Sequence, residues 1–212
     1  MNWKQPKVYA VKHKDESTRA ASRSGGIFTA LSDQVLSNGG VVYGCVLTEE
    51  FDAVHIRTDN AEDRNRMRGS KYIQSKLGDT FKSVKTDLDA KRSVLFSGTS
   101  CQVAGLKRYI GKEYDNLFCV DIVCHGVPSK KIWKAYLRWQ EQKMHSKVAS
   151  VDFRRLSQVS PVFASREFTD DRSVLLKIVL MILFFSAEVM PSIDLLRSER
   201  ISFRLLIFPC ES

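Results

Sequence analysis

Two short stretches carry the residues best suited to chemistry: "SGTSCQ" at 97–102 and "VCHGVPS" at 123–129. Each sets a cysteine close to a glycine, where an apolar run gives way to a helical pattern. Cys101 falls in the first turn after Thr99, a good N-cap residue, so the positive end of a helix and its unpaired amides favour a thiolate there. A thiolate is what metal ligation or redox work needs. The competing reading is a small buried apolar residue, the commonest fate of a free cysteine. Cys124, followed by His125 and Gly126, admits the same two readings. Cys45 and Cys119 sit inside apolar strands and read as core, and Cys210 is an isolated thiol in the tail. No CxxC occurs, so the chain supplies no compact four-cysteine cluster site by itself. His13, His55 and His145 lack a second ligand at metal spacing and read as surface residues.

Two further loops, "SRSGG" and "RGSKYIQS", are rich in glycine and serine amides that can cradle phosphate, with Lys71 adding charge and Tyr72 a stacking face. Neither fits GxGxxG or GxxxxGK[ST], and ordinary turns have the same composition.

The elements that must hold these loops follow from periodicity. From Ser24, Ile27, Phe28, Leu31 and Val35 recur at helical spacing until Gly39-Gly40 stops them, with Ser24 near the N-cap. "VVYGCVL" reads as a strand with "AVHIRT" as its neighbour. Asn60 introduces a short charged helix, "GSKYIQS" is a loop, and "DTFKSVKTDLDA" is helical. Then "SVLFSG", "TSCQVAGLKRYI", "NLFCVDIVC", "SKKIWKAYLRWQEQKMH" and "VASVDF" alternate strand, helix, strand, helix, strand. Such alternation implies an α/β domain with a mostly parallel sheet flanked by helices. Ligands of open α/β sheets sit beyond the carboxyl ends of the strands. With consecutive strands adjacent, Cys101 and Cys124 face one crevice.

Composition sets the outer limits. The 212 residues are enough for a core, and 43% hydrophobic content agrees with a globular chain. A net charge of +9 fits an anionic partner, yet Lys and Arg are interspersed with acids rather than striped, which argues against nucleic-acid binding. Five cysteines, odd and sparse, point to a reducing cytoplasm, and no secretory signal opens the chain. The apolar run "VLLKIVLMILFFSA" includes Lys177 and is shorter than the roughly 20 residues of a membrane span. The chain also changes character near residue 154: all 11 glycines lie at or before Gly126, and Lys177 is the one lysine after residue 153. The expectation is an irregular tail over 156–212, aberrant or truncated and poorly ordered, either a helical extension or text out of its original frame.

Taken in order, "SRSGGIFTAL", "GGVVYG", "RGSKYIQSKLGD", "VLFSGTSCQVAGLKRYI", "VDIVCHGVPSKKIWKAYL" and "VDFR" resemble the coenzyme F-420 hydrogenase/dehydrogenase beta-subunit family over residues 7–155. The resemblance implies a flavin-binding domain in an FAD- and iron–sulfur-dependent oxidoreductase that passes electrons between clusters, flavin and a small acceptor. It implies a bacterial-type member with an unassigned acceptor and a link to surface-polysaccharide gene sets. By position, Ser24, Gly25 and Gly26 form a flavin-side loop, and Gly69, Ser70, Lys71, Tyr72 and Gln74 contribute to the FAD site. Gly98, Thr99, Cys101 and Gln102, with Cys124, His125 and Gly126, line the redox crevice. Cys101, Cys124 and His125 are the implied catalytic set, with one or other of Cys101 and Cys124 the implied ligand of a four-iron cluster. Implied partners are a redox protein or cysteine-rich ferredoxin-like module and a small-molecule electron acceptor.

Three departures stand out. Ser100 replaces the family's proline in GTPCQ, the ferredoxin-like cysteine-rich segment is absent, and after "VDFR" only "REFTDDR" echoes the family. The cluster is then incomplete, and the alternative is a non-catalytic remnant or interaction subunit without its own cluster.

Overall fold

The computed structural model describes residues 9–153 and the backbone of 205–206. The predicted tail, Cys210 and the apolar run lie outside the described residues, apart from that backbone pair. The chain divides into two compact units, Met1–Val127 with Ser202–Ser212, and Pro128–Ile201.

In the first unit a sheet has the order β2–β1–β3–β4–β5. Strands β1 (Val41–Leu47), β3 (Val94–Thr99) and β4 (Leu117–Ile122) run parallel, and β2 (Ala53–Thr58) is antiparallel to β1. The two-residue β5 (Leu205–Leu206) pairs antiparallel with Asp121–Ile122. A mostly parallel α/β sheet is thus what the alternation predicted.

Because side chains alternate along a strand, β1 and β3 feed two cores. Val41, Tyr43, Val94 and Phe96 pack with Val84 and Leu88 of α4 (Thr80–Asp89) and with Val103, Leu106 and Ile110 of α5 (Ser100–Ile110). Val42, Val46, Leu95 and Val120 pack on the opposite face with Phe28, Leu31 and Val35 of α2 (Ile27–Ser37) and with Met67. Helices on both faces bury the sheet as a parallel arrangement requires. Phe96 is wholly buried, so its loss to alanine costs about 3–5 kcal/mol.

The connection from α2 to β1 is a tight turn at Asn38–Gly40, with Gly40 N–H donating to the Val35 carbonyl at 2.9 Å. It sends β1 back along α2, so the N-terminus of α2 lies at the carboxyl end of β1. Arg64, 3% exposed in α3 (Ala61–Arg66), clamps that helix from the side. It donates to the Thr29 carbonyl at 2.9 Å and to Ser32 Oγ at 2.6 Å, and pairs with Asp33 at 2.6 Å.

Three local expectations are corrected. A short helix α1 (Glu16–Ser22), capped by Asp15, stands where no element was expected. Its seven residues, about two turns, are poor in apolar side chains and have no periodicity to read. Residues 148–153 form no strand. The N-cap of α2 is Gly26, not Ser24: its φ of 74° is left-handed, and a Cβ there would meet His13 Cβ at 2.9 Å.

In the second unit, α6 (Lys130–Met144) is capped by Ser129, whose Oγ accepts from Ile132 N–H at 3.4 Å. Its apolar side presents Trp133, which stacks with Tyr136 and leans on Phe153.

Candidate functional site

Residue-by-residue register settles which loops meet. In the β3–β4 ladder Thr99 pairs with Ile122. Cys101 and Cys124 each lie two residues beyond this pair, at one rim of the sheet, and both are exposed. The rim is tied together by Ser100, whose hydroxyl donates to Asp121 Oδ1 at 2.7 Å. A proline at position 100 would have no such group, so this departure from the family pattern adds a cross-strand link. Thr99 Oγ1 lies 3.1 Å from Cys101 Sγ, and the Gly126 amide donates to Cys124 Sγ at 3.3 Å. Both sulfurs therefore have a polar neighbour. His125 is exposed beside them, and Gly126 takes a φ of 118°.

The loop 68–76 joins this rim to the start of α2. At one end, Arg68 Nε donates to Thr29 Oγ1 at 3.1 Å, in the first turn of α2. At the other, Gln102 Nε2 donates to Ser75 Oγ at 2.7 Å, while Gln102 Oε1 accepts from Thr99 N–H at 3.0 Å. One loop thus bridges two helix N-termini, both at the carboxyl ends of parallel strands. Gly69, Ser70 and Gln74 are exposed along it, and Tyr72 is half-buried. Lys71 folds back on its own loop and donates to the carbonyls of Arg66 at 3.0 Å and Arg68 at 3.1 Å. Burial pulls its ammonium down to about 8.

Sequence reasoning missed four residues here. Arg68 lies in a motif already singled out, but nothing local shows that it reaches α2. Cys45 and His55 are cross-strand partners in the β1–β2 ladder. Cys45 is half-buried near the rim rather than in the core, where burial raises its thiol pKa while the Lys71 charge and Ser75 oppose the rise. His55 is 9% exposed, contrary to the surface expectation. Its ring stacks on Phe96 at 5.6 Å and its Nε2 lies 3.1 Å from the Ser97 carbonyl. Burial lowers its pKa. Ser75 is the fourth, and it anchors Gln102. The alternating strand pattern marks His55 as a face residue of β2, but only the partner strand reveals that the face is covered.

A cleft of ≈ 310 Å³ lies elsewhere, between β2 and the first turn of α4. Tyr43, His55, Arg57, Lys76, Asp79 and Ser83 are among its walls, and none of the residues predicted from sequence lines it.

Could the rim hold the expected cofactors? For a phosphate-bearing flavin the donors fit. The N-terminus of α2 has no side-chain cap, so its amides are open to an anion. Burial and the nearby Arg64 charge both work against the charge on Arg68, a cost that an anion would relieve. A four-iron cluster needs four thiolates. Among the described residues no three His, Cys, Asp or Glu side chains gather as a metal site, so the rim thiols do not fit such a cluster by themselves.

The class the geometry defines is a mostly parallel α/β sheet with two exposed cysteines and an uncapped helix N-terminus at the carboxyl ends of its strands. The model for the N-terminal part of the coenzyme F420 hydrogenase/dehydrogenase beta subunit matches residues 8–82, and that for its C terminus matches residues 91–192. The chain belongs to the coenzyme F420 hydrogenase/dehydrogenase beta-subunit family. The C-terminal match runs past residue 155, into the tail. No curated protein matches the chain. A chain of the F420-reducing NiFe hydrogenase complex from Methanosarcina barkeri superposes with a TM-score of 0.48 at 18% identity. That likeness covers 63% of this chain and 50% of the hydrogenase chain, so the present chain spans half of it. Among the described residues no helix is long and apolar enough to cross a membrane.

Proposed function

We propose that this chain is a flavin-dependent electron-transfer subunit of an oxidoreductase, with FAD held at the rim shared by α2, α5 and the loop 68–76. The observation that carries the reading is the bridge by that loop, from Arg68 on Thr29 to Ser75 on Gln102, which fixes two helix N-termini around one edge of the sheet. When bound, the flavin would supply the exchange between two-electron and one-electron chemistry. The chain's own residues bind and orient it. The amides of Gly25, Gly26 and the first turn of α2, with Arg68, face its phosphates, and Gly69 and Ser70 give it room. Thr99 and Gln102 hold the first turn of α5, and Cys101 and Cys124 present exposed thiols at the same edge. His125 is the group beside Cys124 that would hold or release a proton.

The flavin-binding part lies within residues 7–155. Bacterial type and the polysaccharide link rest on the resemblance alone, a cytoplasmic site of action rests on the sparse cysteines, and all three belong to the same proposal. A redox partner supplying cysteine ligands would complete the electron path, since the described thiols do not fit a four-iron cluster.

The experiment is FAD titration followed by quenching of flavin fluorescence, comparing the chain with Arg68→Gln. Saturable binding, weakened roughly tenfold by the loss of one charge-assisted contact, supports the reading. Absence of binding, or equal affinity in the variant, counts against it.

A further inference from the structure

Beyond the rim, the cleft between β2 and α4 has its own chemistry. Its floor is the sheet face that carries Tyr43, His55 and Arg57, and its wall is the segment Lys76–Thr80 with Ser83. His55 is the informative member. A carbonyl only accepts, so the contact with the Ser97 carbonyl at 3.1 Å requires the proton on Nε2. Nδ1 is then a bare acceptor. It is buried, and among the described residues no group donates to it. Leaving a buried acceptor unsatisfied is costly, and such groups call for a partner.

The wall offers the opposite polarity. Asp79, at the N-cap of α4, makes no side-chain cap hydrogen bond. Among the described residues the Phe81 and Lys82 amides have no hydrogen-bond partner in the loop before them, whereas the Thr80 and Ser83 amides donate to the Leu77 and Asp79 carbonyls at 3.0 Å. A ten-residue helix thus ends uncapped at a cleft that Lys76 also lines. The charges around it are Arg57 and Lys76 against Asp79, with Arg57 engaged by Asp87 at 2.8 Å.

A ligand suited to both sides needs negative oxygens for the helix end and Lys76, and an O–H for His55 Nδ1. We propose that this cleft is a binding site, separate from the flavin rim, for a small phosphate-class anion that carries an ionisable O–H. The ≈ 310 Å³ volume sits at the lower end of the roughly 300–1,000 Å³ of small-molecule sites, enough for a phosphate or a small monoester and too little for a dinucleotide. His55 accepts from the anion's O–H, and the open α4 amides and Lys76 face its charge.

Calorimetric titration of the full chain with inorganic phosphate, at near-neutral pH and constant ionic strength, tests this. Sulfate is the control, because it is tetrahedral like phosphate and matches the charge of the hydrogen-phosphate dianion but has no proton to give. The expected result is saturable phosphate binding, about tenfold tighter than sulfate, weakened about fivefold in Lys76→Gln. Lys76 is exposed, so that variant keeps its fold, and a matching melting temperature verifies this. No saturable heat, equal affinity for the two anions, or an unchanged Lys76→Gln variant would each overturn the proposal. FAD provides the second arm: if FAD displaces phosphate, the cleft belongs to the flavin's own phosphates and the separate site is wrong. If the chain binds phosphate but no FAD, the flavin reading fails while this one stands.

Discussion

Replacing Gln102 by alanine should both weaken the fold and loosen the proposed flavin site, because that side chain ties the loop 68–76 to the start of α5. It accepts from Thr99 N–H at 3.0 Å and donates to Ser75 Oγ at 2.7 Å. Each half-buried bond contributes about 1 kcal/mol, and the freed side chain and loop recover part of that as entropy. The net loss is then about 1–2 kcal/mol, read as a lower urea midpoint with unchanged slope and a melting temperature lower by roughly 3–6 °C. FAD affinity should fall about five- to tenfold, since a freed loop must be ordered again on binding. Gln102→Glu keeps both contacts, with Ser75 Oγ as the donor to the carboxylate, and should restore stability to near the parent value. An alanine variant as stable as the parent would refute the bridge. A destabilised variant with unchanged FAD affinity would refute its role in the site.

Asp87 accepts from Tyr43 Oη at 2.5 Å and from Arg57 at 2.8 and 3.1 Å. Burial works against its charge, but these bonds hold its pKa below the usual carboxylate value. Its contribution is therefore present above about pH 4 and is lost as pH falls through the lowered value. Asp87→Asn should cost about 2–3 kcal/mol at neutral pH and flatten the acid limb of a stability–pH curve. Lys71 gives the same direction in an alkaline window: its pKa falls from 10.5 to about 8 on folding, so between those values the unfolded chain binds more protons and stability again rises with pH. Discounted for partial exposure, that rise is about 1–2 kcal/mol. Urea titrations between neutral pH and about pH 9.5 should show it in the parent and not in Lys71→Met. Timed alkylation with mass spectrometry should label exposed Cys101 and Cys124 on the order of tenfold faster than half-buried Cys45 and Cys119; equal rates would contradict the rim.

What was legible in the sequence was whatever is encoded locally. Thr99 as the α5 cap and Asn60 as the α3 cap follow from residue type and spacing, and both hold. Parallel β3 and β4 follow from alternation, and with them the common rim of Cys101 and Cys124. Long-range facts were not legible. The burial of His55 depends on a 42-residue separation from Ser97, and the reach of Arg68 to Thr29 spans 39 residues. Gly26 displaced Ser24 as the α2 cap because the chain from His13 crosses there, with His13 N–H donating to the Gly25 carbonyl at 2.7 Å. No spacing rule contains that crossing.

The most direct test of the central claim is hydrogen exchange of the full chain with and without FAD, read by peptide. The account predicts a chain that retains flavin and gains protection at 24–30, 68–76, 98–103 and 123–126, with 79–83 unchanged. A chain that retains no flavin, or one whose protection falls outside that rim, would contradict it.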